Sequence, residues 1–254
     1  MANATFNQGI DYFGLVAQSN PKLKVKSSAE NRSKQSASGA NSYGDIKVVD
    51  SYGETSEPSA EYDVIADMTQ ATFPKLGTVS TVAGIEKPVV FGSVTINTSN
   101  GANPTVSASG SMVQTGAATL REYTLPTMSL TARHRAQDFL GAVTISKVSG
   151  QTTAAASDVD DYGLESVSAT FPIEITKAMP KGEVVNYDLH GGTATATYTM
   201  NWYAATAPVI ALSAAATTAG YTISTPVSKA DPEGGYTQYT WTVSLPLVGE
   251  EADD

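Results

Sequence analysis

One close run of hard-cation ligands in the chain is SDVDDYGLE at 157–165. Its carboxylates Asp158, Asp160, Asp161 and Glu165 could hold Ca²⁺ if the loop folded round the ion. The run lacks an Asp or Asn at the fifth position followed directly by Gly, so it reads first as a solvated acidic loop, and no metal is assigned to it. His134 and His190 are the two histidines of the sequence. The first lies between Arg133 and Arg135, and the second precedes the turn signal Gly191-Gly192. A Ser-His-acid arrangement needs more than these, because serine is too frequent here to mark a nucleophile. There is no G-x-S-x-G elbow, no phosphate-cradling G-x-x-x-x-G-K, no dinucleotide glycine pattern and no H-E-x-x-H. Neither a catalytic residue nor a cofactor is expected. Without cysteine, disulfides and thiolate metal sites are excluded.

Aromatic side chains are the remaining groups with recognition chemistry, since their faces stack on sugar rings. Tyr198 and Trp202 share a strand face with Ala196 and Met200, and Tyr239 and Trp241 share one with Val243. These read as core. Tyr203 and Tyr236 are the better candidates for an exposed contact.

The elements that must position these groups are strands. YDVIA, VVFGSVTINT, PTVSASGSMV, AVTISKV, SVSATFPIEITKA, TATATYTMNWYA and GYTQYTWTVSLPL alternate small apolar residues with Thr or Ser, the period-2 pattern of a half-buried sheet. TLREYTLPTMSLT is interrupted by Pro126, which marks an edge, a bulge or a break between two strands. RHRAQDFLGAV sets Ala136, Phe139 and Leu140 at helical spacing with Gly141 to end it, so one short helix is expected near 133–141. The fold class is therefore mainly β, an antiparallel sandwich or barrel-like body with one short helix.

Residues 1–60 read as an extended arm with a hairpin and a loop, and 61–254 as the body. Lys22, Lys24, Lys26, Arg32 and Lys34, clustered in this arm over 22–34, are five of the chain's fifteen basic residues. They are candidate contacts between subunits. The body carries weak internal echoes, such as ATFP at 71–74 and 169–172, consistent with a duplication into 61–165 and 166–254 or with chance matching of Thr- and Ala-rich strands.

A net charge of −10 disfavours tight wrapping of nucleic acid, which needs clustered Lys and Arg against phosphates. The opening MANATFNQGIDYFGLVAQ lacks the basic and apolar regions of a secretory leader, and there is no apolar run long enough to cross a membrane. Synthesis in a cytoplasm is expected, with no membrane partner.

The arm KVKSSAENRSKQSASGANSYGDIKVVDSYGETSEPSAEYDV, the join FPKLGTV, the segment RHRAQDF and the ending DPEGGYTQYTWTVSLPL resemble structural proteins of tailed phages, specifically the tail-tube type. The resemblance implies a β-sandwich with a flanking helix, hexameric rings stacked into a hollow tube, and arms that bridge rings. The implied partners are further copies of the chain, other virion proteins, and DNA as non-specific cargo. The implied location is the virion, after synthesis in the host cytoplasm. No site residue is carried over from it. The alternatives are a capsid decoration or fibre component, and a carbohydrate-binding β adhesin.

Overall fold

A computed structural model describes residues 10–16, 21–40, 46–81, 87–114, 117–146, 163–178, 186–203, 206–231 and 233–251, with backbone alone over 33–40 and 46–54 and at 178, 186 and 251. The strands in chain order are β1 (Leu23–Ala40), β2 (Ile46–Val64), β3 (Met68–Thr69), β4 (Val79–Ser80), β5 (Val89–Ser99) and β6 (Thr105–Met112). There follow β7 (Arg121–Tyr123), β8 (Ser129–Leu130), β9 (Val143–Ser146), β10 (Leu164–Ala178), β11 (Asn186–Gly191) and β12 (Thr193–Trp202). The series ends with β13 (Val209–Leu212), β14 (Thr222–Ile223), β15 (Val227–Asp231), β16 (Tyr236–Pro246) and β17 (Gly249–Glu251).

Eleven of these form one antiparallel sheet in the order β1-β2-β6-β5-β10-β12-β16-β14, with β4 added on β5, β11 on β10 and β15 on β16. Strands from both sides of residue 165 lie in it, joined where β5 pairs with β10. The alternating pattern explains the sheet directly. Val94 and Ile96, Val106 and Ala108, Val167, Ala169 and Phe171, Ala194, Ala196, Tyr198 and Met200, and Trp241 and Val243 are all buried on one face. Three two-stranded sheets, β13–β9, β17–β7 and β3–β8, and the loops between them contribute Leu130, Val143, Ile145 and Tyr123 to the same apolar cluster. The result is a sandwich-like, mainly β fold in which no barrel is closed. The break at Pro126 falls between β7 and β8.

The helix expected near 133–141 does not form. The segment is a chain of bends and turns, and among the described residues the elements with helical hydrogen bonding are a 3-10 turn at Gln70–Thr72 and α1 (Ala214–Thr218). Its apolar triplet still enters the core: Ala136 and Phe139 are buried and Leu140 is packed against them. What overrides the helix is side-chain competition for backbone groups. Gln137 Oε1 accepts from the Thr131 amide at 2.9 Å, while its Nε2 donates to the Thr131 carbonyl at 2.8 Å. Asp138 Oδ2 accepts from the Val143 amide at 3.0 Å. Gly141 turns the chain in the left-handed region at φ 59°. A two-turn helix, costly to nucleate, cannot compete with so many tertiary bonds. Helix α1 has an ordinary cause, an N-cap in which Ser213 Oγ accepts from Ala216 N at 3.1 Å.

The first sixty residues are built into the body at their base. Tyr12, Phe13, Leu15 and Leu23 are buried in the common core. The Tyr62 hydroxyl donates to Asp11 Oδ1 at 2.8 Å. Strand β2 runs through residue 60 and pairs with β6 over Ser59–Asp63. Beyond that base, residues 33–40 and 46–55 pair only with each other among the described residues.

Candidate interaction face

The face of the large sheet opposite the core is built from the polar half of each alternation. Strand register brings these residues into rows. One row runs Ser27, Glu61, Ser107, Thr95, Thr170, Thr195 and Ser244 across seven strands. The next runs Asp63, Thr105, Asn97, Ser168, Thr197 and Thr242. A third comprises Ser99, Ser166, Thr199 and Thr240. Neighbours within a row sit about 4.8 Å apart, and rows are about 6.7 Å apart along the strands.

Several hydroxyls bond sideways along these rows. Ser93 and Ser109 are 2.7 Å apart, Thr95 and Thr170 are 3.1 Å apart, and Ser168 Oγ donates to Asn97 Oδ1 at 2.6 Å. Thr195, Thr197 and Ser168 are exposed. From β6 to β16 the three rows contain no ionisable side chain. Within these rows charge enters at the β1–β2 margin, through Glu61, Asp63 and Asp63's register partner Lys24, and beyond them the same face carries Glu174 on β10 and Lys229 on β15.

Neither border of the sheet is paired further by a described residue. Among the described residues β1 pairs with β2 alone, and at the far border β14 and β15 pair with β16 alone. The basic residues of the arm lie along β1 and just before it. Lys26 Nζ is 2.8 Å from Glu61 Oε1, and this pairing holds the ammonium above its ordinary range. Arg32 Nε is 2.8 Å from Glu30 Oε1, which keeps that carboxyl below its usual range together with the Ser56 hydroxyl. Lys24 is exposed opposite Asp63 in register, and Lys22 lies just before β1, its carbonyl accepting from Ile65 N at 2.9 Å. Lys34 is on β1 where the backbone alone is described. The arm's described cations are thus partly answered by acids of the same hairpin.

Of the acidic run, Asp158, Asp160 and Asp161 lie outside the described residues. Glu165 stands where β10 begins, and its Oε2 accepts from Asn100 Nδ2 at 3.4 Å and Asn201 Nδ2 at 3.3 Å. His190 Nε2 is 3.4 Å from Asp188 Oδ2 on β11, and His134 is exposed. The two are not drawn into one site. Trp202, Tyr198 and Trp241 are core, the last two stacked with ring centroids 5.3 Å apart, whereas Tyr203 is exposed.

Asp138 was not legible as special, because the helical spacing set it beside an apolar stripe on a solvent-facing turn. It is buried, and the Tyr198 hydroxyl donates to its Oδ1 at 2.7 Å. Burial pushes its carboxyl above the ordinary range, against the pull of the Val143 amide and the Tyr198 hydroxyl. Burial also raises Tyr198, with the Asp138 charge adding to it.

Neither a protein-family model nor a curated protein matches the chain.

Proposed function

We propose that the chain is a non-enzymatic structural subunit of a phage particle, of the tail-tube type, whose copies join edge to edge into rings that stack round a channel for DNA. The observation that supports this most is one wide sheet whose three hydroxyl rows are uncharged from β6 to β16 and whose two borders are left unpaired among the described residues. An open border exposes a row of unpaired backbone donors and acceptors, which single-chain proteins usually blunt with charge. Here Lys26 and Arg32 on β1 are paired with Glu61 and Glu30, and the exposed Lys24 stands opposite Asp63 in register. Joining one border to the opposite border of the next copy is a head-to-tail contact, which closes into a ring when the rotation allows.

The hydroxyl face suits a channel wall. Lys or Arg on such a wall would release counterions from a phosphate backbone and hold the DNA, whereas Ser and Thr rows offer no such attraction. The self-paired hairpin at 33–55 is of a length, about 25 Å, that could reach a neighbouring ring. An isolated two-stranded ribbon is marginal in water, so a partner surface against it would stabilise it.

The test is light scattering of the purified chain over a wide range of concentration and salt. Oligomers of one defined size, growing to longer species at high concentration, are expected. A monomer that persists at high concentration in every salt would sink the reading.

A further inference from the structure

At the end of the sheet where β10 begins, β12 ends and β16 begins, two tyrosines and a chain of amides gather on the surface. Tyr203 is 68% exposed, the most exposed large aromatic ring among the described residues. Its ring meets Tyr236 edge-on, with centroids 5.6 Å apart and planes at 61°. Beside them Gln238 Nε2 donates to Asn201 Oδ1 at 3.3 Å, and Asn201 Nδ2 donates to Glu165 Oε2 at 3.3 Å. On the β15 side of Tyr236 lies an open cleft of about 500 Å³, lined by Lys229, Asp231, Glu233, Tyr236 and Gln238.

Tyr236, against which Tyr203 rests, is held in place before any ligand arrives. Asp231, the register partner of Tyr236, accepts from Glu233 N at 3.1 Å and Gly234 N at 3.0 Å in the turn between β15 and β16, which fixes the backbone beside the ring. A Cβ at Gly234 would stand 2.3 Å from Tyr236 Cε1, so the ring rests directly on that glycine. An aromatic ring fixed this way loses little freedom on binding.

We propose that this Tyr203–Tyr236 platform, with Gln238, Asn201 and Glu165, is a binding site for a neutral saccharide. A pyranose presents an apolar C–H face and a rim of hydroxyls. An exposed tyrosine face matches the first, and a line of amides and a carboxylate, which both donate and accept, matches the second. A polyanion is disfavoured by Glu165, Asp231 and Glu233 close by. The patch has a polar rim and a small apolar area, unlike the broad apolar centre of a stable protein interface. This site does not depend on the ring reading, since a monomer would carry it equally.

The experiment is saturation-transfer NMR and calorimetry on the full chain with cellohexaose, maltohexaose, mannohexaose and N-acetylchitohexaose. Saturable binding of at least one is expected. Tyr203→Ala should weaken it about tenfold, the loss of one stacked ring, while Tyr203→Phe keeps it within about threefold. Gln238→Ala should weaken it by about fivefold, the loss of one neutral hydrogen bond. Because Tyr203 is exposed, the folded state should survive each change at that position, and circular dichroism checks this. Absence of binding to all four sugars overturns the proposal. So does binding that Tyr203→Ala leaves unchanged, or that Tyr203→Phe weakens as much as Tyr203→Ala does. Ring assembly is read separately by light scattering, so either idea can fail without the other.

Discussion

Burying a carboxyl group is costly unless its oxygens find donors, and Asp138 meets that condition by tying three parts of the chain together. The Tyr198 hydroxyl comes from the centre of the large sheet, the Val143 amide from the start of β9, and Asp138 itself from the turn segment between β8 and β9. Asp138→Ala should therefore lower stability by about 2–4 kcal/mol, since it strands two buried donors, and chemical denaturation would measure this. The pH response has a defined sign. Burial raises the carboxyl above its reference value of 3.8, so the folded chain retains a proton there that the unfolded chain releases. That contribution is fully present below the unfolded value and is lost as pH rises through the raised native one. In Asp138→Asn this component of the pH dependence should vanish, with melting temperature against pH as the readout. An unchanged profile would mean that Asp138 is not the titrating group. This role was not legible beforehand, because Ala136, Phe139 and Leu140 fit a helical stripe as well as they fit a buried turn. The recognition candidates fared differently. Tyr203 follows the last residue of a strand whose alternation assigns Trp202 to the core, so its exposure could be read from position alone.

Among the elements, the long strands were legible because Thr and Ser alternate with Ala, Val and aromatics over many residues, and both faces of the sheet follow from that period. The two-residue strands were not, since no periodicity can accumulate over so short a span. Helix α1 left a faint signal, Ser213 ahead of an alanine run with Gly220 beyond it, but five residues are too few to outweigh the surrounding strand pattern. The two ATFP segments show how local sequence is overridden: 71–74 leaves a 3-10 turn, while 169–172 lies within β10. The arm needs a finer cut than residue 60. Deleting 1–60 would remove Tyr12, Phe13, Leu15 and Leu23 from the core and should unfold the chain. Arg32 and Ser56 are register partners, so Ser33–Thr55 can be replaced by an Asn-Gly turn between them. This variant should melt within about 4 °C of the parent, as a change near 1 kcal/mol would allow. If the hairpin bridges rings, the variant forms single rings that no longer stack. Normal tubes from it would remove the bridging role.

Over the whole molecule, the net charge of −10 and the hydroxyl face make one statement about nucleic acid. Acidic residues repel phosphate at a distance, and the uncharged rows offer nothing to hold it in contact. Duplex DNA should show no measurable affinity at physiological salt in a fluorescence-anisotropy titration. Placing lysine at Thr170 and Thr197, which lie in adjacent rows near the middle of the face, should create salt-sensitive binding in assembled rings. If the lysine variant assembles and still ignores DNA, that face does not line the channel. Function was the least legible level because it rests on borders and a surface. Periodicity locates both, but composition does not say what meets them.

Electron microscopy of the purified chain at high concentration addresses the central claim most directly. The account predicts closed rings with a central hole, stacking into hollow tubes, with the Ser/Thr rows facing inward when the rings are resolved to side chains. Compact monomers, or closed oligomers without a channel, would contradict it.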